Sequence, residues 1–426
     1  MTIHDFNKII YRVSNNSTMR FLNSRDAYVE KDMYTLACVV FNIERVIKNG
    51  YKISSVQIPI SYETATGRDI EKIEILLNKL FKFVLIENIH VVIKQIDTKK
   101  NRRGILPKIE NYDNICLFSG GIDSLSALLN SIKYFKNVHG LFASHIDQSW
   151  GVNIVHNLIA KIQTVENVDC SIIYVPEMES RGYSQLRGFL YVLCGAIHVR
   201  LRNSKNLIIG ECGPTMYQPR FAQFDTVTMT THPYVIGIAK EIIEIFLKRK
   251  VNLILPYENM TKAEVMISSP YEKFFKYSHS CISLRFGKND GNCYGCVVRR
   301  LGALVAGIED TFYQKNPLGE IRKNTDIDNL SSLLSFSYDM LINYNSMPYF
   351  SKENIVDYDK KDLFKRFSID NFAALYIYQN NIGKLNGYIL PIYNEFISRI
   401  GEEKIKKRIE KVRNNTFKPN FKKFVP

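Results

Sequence analysis

The sequence feature that most constrains the fold is a strand that passes directly into a helix, LFSGGIDSLSALL, at residues 117–129. The apolar run before the two glycines predicts a buried strand, and the apolar residues after Asp123 have helical spacing. The first amides of a helix have no partners within it, and the helix dipole adds partial positive charge there. The turn therefore predicts an anion-binding loop, in which Gly120 and Gly121 let the backbone approach a phosphate.

The alternation of strand and helix continues beyond this turn. Apolar, β-branched runs predict further buried strands at VHGLFASH, CSIIYVP and NLIIGECG, and the segments between them have helical patterns. Strands that are apolar throughout and alternate with helices are typical of a parallel sheet that is covered on both faces. We therefore expect an α/β fold with a parallel, doubly wound sheet at its centre.

Length and local pattern divide the chain of 426 residues into three predicted domains. Residues 1–108 carry the strand patterns KIIYRV, SVQIPI and IHVVIKQI with amphipathic helices between them, which predicts an N-terminal α+β domain. Residues 109–309 form the α/β domain. Residues 310–426 have helical patterns and become basic, with nine Lys or Arg against three acidic residues from Gly401 onwards. This predicts a helical, basic C-terminal domain.

The loop side chains can add to the backbone amides. Ser119 and Ser124 offer hydroxyl donors to a bound phosphate. Asp123 is unexpected beside a phosphate unless it caps the helix or helps to hold Mg²⁺. A tight turn with Asp123 as an ordinary cap is the alternative interpretation, but the complete Ser-Gly-Gly-x-Asp-Ser after a buried strand favours a phosphate site.

A second group of residues with a chemical signature is HSCISLRFGKNDGNCYGC, over residues 279–296. It spaces His279, Cys281, Cys293 and Cys296 as H-x-C-x₁₁-C-x₂-C. A Cys-x₂-Cys pair directs two thiolates at one tetrahedral Zn²⁺, Cys281 supplies a third ligand, and His279 is the candidate for the fourth. Unrelated cysteines, or a redox-active pair, are the alternative.

The net charge of +15 indicates an anionic partner: a nucleotide, nucleic acid, an acidic protein or an anionic lipid. A generally lysine-rich composition is the simpler explanation. The N-terminus lacks the pattern of a secretory peptide, and no apolar run is long enough to span a bilayer. Eight cysteines spread thinly over the chain do not form a disulfide framework, so we expect a cytoplasmic protein that does not contact a membrane.

These motifs together resemble a known family. The glycine turn is similar to the PP-loop of the ATP pyrophosphatases, and a cysteine group about 160 residues later resembles the 7-cyano-7-deazaguanine synthases, the QueC family. The segment LPYENMTKAEVM is similar to that family's Thr-Lys-Ala-Glu signature, at Lys262. The segment YVPEMESRGYSQLRGFLYVLCGAI is similar to its proline, arginine and long helix, with Arg187 as the best match and Arg181 as a second. The resemblance covers residues 113–307.

The resemblance implies a fold, a reaction and its cofactors. It implies a PP-loop domain that uses ATP and Mg²⁺ to adenylylate a carboxylate such as that of 7-carboxy-7-deazaguanine, before an amine displaces AMP. Asp123, Lys262 and Arg187 would be catalytic, Glu211 and Arg181 would bind the substrate, and Zn²⁺ would be structural. An arginine on the helix surface is the alternative for Arg187, and a capping or salt-bridge role is the alternative for Glu211. The residues implied to bind ATP and pyrophosphate are Ser119, Gly120, Gly121, Ile122, Asp123 and Ser124.

The chain also departs from the family pattern. A fourth family cysteine would follow Cys296 by three residues, and Arg299 stands there. The two terminal domains are not part of the family proper. They resemble the architecture of QueC-like proteins of antiphage defence systems of the Qat type, which implies a partner protein whose N-terminus supplies the amine; ammonia is the other acceptor.

Two other functions fit parts of the sequence. A PP-loop enzyme that modifies tRNA, of the thiolase or lysidine synthase type, would suit the basic charge. However, the terminal domains carry no RNA-binding signature, so nucleic acid is the less favoured partner. A catalytically silent PP-loop scaffold in a defence complex is the third interpretation, because a fold alone does not establish activity.

Overall fold

The structure of the chain is a computed structural model. The structure describes residue 22 and residues 27–85, 87–97, 109–145, 149–175, 184–217, 231–281, 288–319, 328–347 and 359–423. The predicted strand KIIYRV and Arg181 lie outside these residues.

The strands number seven within the described residues. They are β1 (Ser55–Ser61), β2 (His90–Ile96), β3 (Asn114–Leu117), β4 (Val138–His145), β5 (Asp169–Val175), β6 (Asn206–Ile209) and β7 (Asn252–Ile254). The helices of the N-terminal and central parts are α1 (Tyr28–Lys48), α2 (Arg68–Val84), α3 (Ile122–Tyr134), α4 (Ser149–Ile162), α5 (Arg187–Leu201), α6 (Gly213–Met216), α7 (Pro233–Leu247), α8 (Lys262–Ser268) and α9 (Tyr294–Ala306). Those that follow are α10 (Asp328–Leu341), α11 (Lys361–Asn381), α12 (Ile389–Ile400) and α13 (Glu402–Asn414), and short 3₁₀ helices occupy Glu272–Tyr277 and Tyr344–Ser346.

The central sheet is parallel throughout and has the order β5-β4-β3-β6-β7. The chain runs outward from β3 to β5 and then returns to the other side of β3 with β6. The order therefore reverses between β3 and β6, and in open α/β sheets ligands bind beyond the carboxyl ends of the strands at such a point. The α/β class with parallel strands is confirmed; the short strand β7 was not predicted.

Each face of the sheet builds its own hydrophobic core. Side chains of alternate strand residues point to opposite faces, so Ile115 and Leu207 belong to one core while Cys116 and Ile208 belong to the other. The first core contains residues of α1, α5 and α7, and the second contains residues of α3, α4 and α8. Helices thus cover both faces, as the sequence pattern predicted.

The N-terminal elements pack directly on the central sheet and its helices. Strands β1 and β2 form a separate parallel pair, with Ser55 opposite His90. Helix α1 lies along α5, and the Tyr34 hydroxyl donates to the Tyr174 carbonyl of β5 at 2.6 Å. Buried residues of these elements belong to the same core as β3 and β6.

The C-terminal part is helical, as predicted. Helix α11 packs against α9 and α10, and α13 packs against both α9 and α11. Beyond α13 the chain crosses the outer side of β7, where Lys423 forms an antiparallel bridge with Ile254 and the Asn420 amide donates to the Pro256 carbonyl at 2.9 Å. Among the helices of the described ranges, none combines the length and the apolarity needed to cross a membrane.

Candidate active site

The predicted anion loop lies at the carboxyl end of β3, next to the end of β6. Gly121 is the N-cap of α3 and has no side chain to cap it, and the Ser119 hydroxyl oxygen accepts the Gly121 amide only at a long 3.5 Å. The amides of its first turn are therefore available to an anion. The loop over residues 119–124, called here the glycine loop, occupies the position that the strand order favours for a ligand.

Two serines close the glycine loop on itself. The Ser119 amide donates to the Ser124 hydroxyl oxygen at 3.1 Å, and the two hydroxyl oxygens are 3.0 Å apart. The Ser124 hydroxyl donates to the Gly121 carbonyl at 3.1 Å. The serines thus hold the shape of the loop, and a bound phosphate would compete for their hydroxyls.

Gly120 is required by its backbone and by its neighbour. Its φ is +78°, a conformation that favours glycine, and a Cβ there would come within 2.9 Å of Cε1 of His279. The His279 amide donates to the Gly120 carbonyl at 2.9 Å. The segment that leads into the cysteine group therefore packs on the glycine loop.

A buried ion pair stands beside the loop. Lys262 donates to the carboxylate of Asp123, which also accepts the Cys212 amide at 3.2 Å. Glu211 and Cys212 follow β6, and a carboxylate oxygen of Glu211, one of Asp123 and the Cys212 sulfur all lie within 4.8 Å of one another. The structure thus brings together Asp123, Lys262 and Glu211, three residues that the sequence places far apart.

The environment shifts the pKa values of these three groups in different directions. Burial alone would raise the pKa of Asp123, but Lys262 and hydrogen bonds from Glu211 and the Cys212 amide lower it below its usual value. Burial and the neighbouring Asp123 charge raise the pKa of Glu211 well above its usual value. Burial opposes the charge of Lys262, yet Asp123 outweighs it and raises the Lys262 pKa. The site therefore favours the ion pair of Lys262 with Asp123 and disfavours a charge on Glu211.

Lys262 is placed by the start of α8. Thr261 caps this helix in a capping box, in which the Glu264 amide donates to the Thr261 hydroxyl oxygen and Glu264 accepts the Thr261 amide at 3.0 Å. Gly302 of α9 leaves room for the aliphatic part of Lys262, since a Cβ there would come within 2.7 Å of Cγ of Lys262. The capping box of α8 and the small residue Gly302 thus direct the Lys262 ammonium group towards the interior.

Arg187 is the first residue of α5 and is half-buried. Its charge partly offsets the rise in the pKa of Glu211 and contributes, after burial and Arg299, to a lowering of the His279 pKa to about 4. Arg187 therefore acts on two residues that border the site. Arg181, the second arginine of the prediction, lies outside the described residues.

The predicted metal site is assembled around three thiols. Ligand atoms of Cys281, Asp290, Cys293 and Cys296 lie within 4.8 Å of one another, and the Cys281 and Cys293 sulfurs are 3.9 Å apart. Tetrahedral Zn²⁺ with bonds of about 2.3 Å requires a sulfur separation of about 3.8 Å. The donor set and its spacing therefore fit a metal ion such as zinc.

The fourth member of this group differs from the expectation. Among the described residues the group contains Asp290 and not His279, whose ring lies against Gly120. Asp290 is held in place because its carboxylate accepts the amides of Asn292 at 2.8 Å and Cys293 at 3.0 Å. His279 as a zinc ligand stays a prediction that this geometry does not favour.

Arg299, at the position where the family pattern has a cysteine, forms hydrogen bonds that hold neighbouring segments together. It is fully buried, and its guanidinium donates to the carbonyls of Phe275 at 2.7 Å and Ser278 at 3.0 Å and to Asp310 at 2.8 Å. It thus ties the segment before His279 to α9.

Two residues near these sites were not predicted for a role. Cys212, which follows β6, is buried and donates its amide to Asp123. Asp290 lies between Cys281 and Cys293, and a carboxylate inside a ligand-rich loop was the signal that could have identified it. Comparison of the chain with protein-family models and with curated proteins finds no match. The resemblance to the QueC family therefore rests on the motifs alone.

Proposed function

We propose that the protein is an ATP-dependent enzyme that forms AMP and pyrophosphate while it activates a carboxylate. The observation that supports this proposal is the start of α3, whose N-cap Gly121 has no side chain, beside the buried Lys262 and Asp123 at the reversal point of a parallel sheet. The first-turn amides would bind the phosphates, and the Lys262 ammonium would stabilise charge on the departing pyrophosphate. Following the resemblance, the substrate is a 7-carboxy-7-deazaguanine type of acid.

The reaction has two balanced steps. A carboxylate oxygen of the substrate attacks the α-phosphorus of ATP, the bond from that phosphorus to the bridging oxygen breaks, and pyrophosphate leaves. An amine then attacks the acyl carbon, the carbon–oxygen bond to AMP breaks, and the nitrogen loses a proton. In the defence-type interpretation the amine is the N-terminus of a partner protein, and the reaction takes place in the cytoplasm.

Magnesium would be held by carboxylates at this site. Mg²⁺ prefers oxygen ligands and is usually bound by one or two carboxylates together with substrate phosphates. Asp123 and Glu211 offer such oxygens within 4.8 Å of each other, whereas the Cys212 thiol is a poor ligand for this ion. Bound there, Mg²⁺ would neutralise phosphate charge, and its own charge would oppose the rise in the pKa of Glu211.

Zinc would serve the structure rather than the reaction. Four protein ligands leave no open coordination position, and the cysteine group lies next to the segment that packs on Gly120. Zn²⁺ at Cys281, Asp290, Cys293 and Cys296 would fix that segment and, through it, one wall of the glycine loop.

The test is nucleotide turnover by the purified full chain. With ATP, Mg²⁺, 7-carboxy-7-deazaguanine and ammonia, we expect AMP and pyrophosphate in equal amounts. Lys262→Met and Asp123→Asn should each lower the rate about 100-fold, the usual effect of losing a group that stabilises developing charge. Lys276→Met, on an exposed lysine paired with Glu309, is the control and should not change the rate. Absence of AMP formation by the unaltered protein, with ammonia or a candidate partner as acceptor, would rule out the proposal.

A tRNA-modifying enzyme is the second candidate, and the exposed Lys404, Lys407 and Lys411 along α13 favour it. Binding of tRNA over a salt series separates the two functions, because phosphate contacts make affinity fall steeply with salt. Measurable binding at physiological salt with a steep slope would support this candidate.

A further inference from the structure

We infer that Glu44, in helix α1 of the N-terminal region, is a positioning residue for the proposed reaction, since it fixes the first turn of α5 and thereby Arg187. The inference rests on the proposed function, because the position of Arg187 matters for activity only if the site binds an anionic substrate.

Glu44 caps a helix that is distant in sequence. The residue is fully buried, and its carboxylate accepts the amides of Gln185 at 2.7 Å and Leu186 at 3.0 Å and the Ser184 hydroxyl at 2.5 Å. Leu186, the N-cap residue of α5, has no side chain that could perform this task, and no side-chain cap bond forms from it. The cap of α5 is therefore supplied by Glu44 of α1, together with the Ser184 hydroxyl oxygen, which also accepts the Leu186 amide at 3.2 Å.

The charge of the Glu44 carboxylate stabilises one position of the N-terminus of α5. A carboxylate at a helix N-terminus interacts well with the dipole, and hydrogen bonds to a charged acceptor are about twice as strong as neutral ones. Lys48 of the same helix α1 balances the buried charge, with its ammonium 2.7 Å from Glu44. Because the two amides that Glu44 binds directly precede Arg187, the backbone of that arginine is fixed within one residue of the contact.

Arg187 connects this cap to the site. It begins the helix that follows β5, so it lies at the carboxyl edge of the parallel sheet, the edge at which the glycine loop and Glu211 also lie. Its guanidinium stands over the ring of Tyr191 at 5.9 Å. An arginine can bind a phosphate or a carboxylate with two parallel hydrogen bonds, which requires a defined position. The N-terminal region thus takes part in building the active site through Glu44, in addition to any role in partner docking.

The same two helices provide a matched control. Glu30 of α1 accepts the Arg200 guanidinium of α5 at 2.8 Å, and Glu30 is buried. Arg200 lies about 20 Å along the helix from Arg187, given a rise of about 1.5 Å per residue. Glu30→Gln therefore removes a charged contact between the same helices far from the site.

The experiment is a double-mutant cycle on the full chain, with AMP formation as the readout. Glu44→Gln should lower kcat/KM about tenfold, chiefly through a higher KM for the carboxylate substrate, whereas Glu30→Gln should stay within about twofold of the unaltered protein. In the Arg187→Gln background, Glu44→Gln should cause no further loss, because its effect passes through that arginine. Should Glu44→Gln fail to fold, Ser184→Ala removes one donor to Glu44 and one acceptor of the Leu186 amide, and it should show a smaller loss with the same dependence on Arg187.

The outcomes separate this inference from the proposed function. If the unaltered protein forms AMP but the losses from Glu44→Gln and Arg187→Gln multiply, or if Glu44→Gln is fully active, the inference is wrong and the proposed function stands. If the unaltered protein forms no AMP, the proposed function fails and the inference fails with it.

Discussion

Asp123, Glu211 and Lys262 form one buried electrostatic group. Burial would raise the pKa of Asp123, but Lys262 outweighs it and lowers this pKa, whereas burial and the Asp123 charge raise the pKa of Glu211. In the proposed function, the Lys262 ammonium would turn towards the phosphates of the nucleotide, and the two carboxyl groups would share a cation. The group would then serve an anion and a cation at one point of the sheet edge.

A second residue-scale feature lies at the opposite end of the sheet. His139 at the start of β4 is buried, its Nε2 is 2.8 Å from the Ser171 hydroxyl, and its ring stacks on His198. Burial, followed by the charge of Arg202, lowers the pKa of His139 to about 3. Folding therefore keeps this histidine neutral at a pH at which the unfolded chain would bind a proton.

This predicts a specific loss of stability in acid. Between the unfolded pKa of about 6.5 and the folded value of about 3, the unfolded state binds more protons, so stability falls as the pH falls, by up to about 1.4 kcal/mol per pH unit. His139→Gln should reduce the difference in urea midpoint between pH 7 and pH 5. The exposed His156 is the control, and His156→Gln should leave that difference unchanged. An unaltered difference in His139→Gln would contradict the assignment.

At the scale of elements, short segments carry the site and longer ones hold them in place. Glu264 completes the capping box of α8 and also pairs with Arg366 of α11 and Arg408 of α13, while Arg408 pairs with Asp370. The C-terminal helices are thereby bound to the turn that presents Lys262. The 3₁₀ segment before His279 is bound in the same way by Arg299.

The loop between Cys281 and Cys293 leads to a prediction about metal content. We expect close to one zinc ion per purified chain, measured by elemental analysis. Cys293→Ser and Asp290→Asn should lower the zinc content, while His279→Gln should keep it because that ring lies on the glycine loop. Cys170→Ser, on β5 and outside the group, is the control. If His279→Gln lost zinc while Asp290→Asn kept it, the fourth ligand would be His279, as the sequence predicts.

The sequence was informative where a function depends on consecutive residues. The glycine loop, the strand before it and the helix after it were all predicted, because apolar runs and paired glycines determine such a turn locally. The meeting of Lys262 with Asp123 depends on the order β3-β6-β7, which a local pattern does not encode. Strand β7 was missed because three residues are too few for a periodic signal. The preference for Asp290 over His279 depends on where a side chain packs, and spacing alone cannot reveal it.

At the scale of the whole molecule, one core crosses the predicted domain boundaries. Buried residues from α1, β1, β3, α5 and α9 to α13 belong to a single cluster of apolar side chains. The boundaries near residues 108 and 310 stay predictions. Because apolar burial is the main stabilising contribution to folding, the parts that share this core should depend on each other for stability.

We therefore expect the N-terminal helices and the central sheet to unfold together. In hydrogen exchange over a urea series, the slowest amides of α1 and of α5 should lose protection at the same urea concentration. Amides of α3, which packs in the other core, provide the comparison. Loss of protection in α1 at clearly lower urea, with α5 unchanged, would show that the N-terminal region is an independent unit.

The crossing of the chain over the outer side of β7 has a consequence for how copies of the protein behave in a crowded solution. An outermost strand offers unpaired amides and carbonyls that can recruit a strand from another molecule and seed aggregates. Here Lys423 and Asn420 occupy that rim, and Phe421 anchors the segment by stacking on Tyr134 with ring centroids 4.7 Å apart. The C-terminal segment thus covers this edge of the sheet and hinders its pairing with a strand of another molecule. The lysines of the segment add positive charge there, which repels a second copy of the protein.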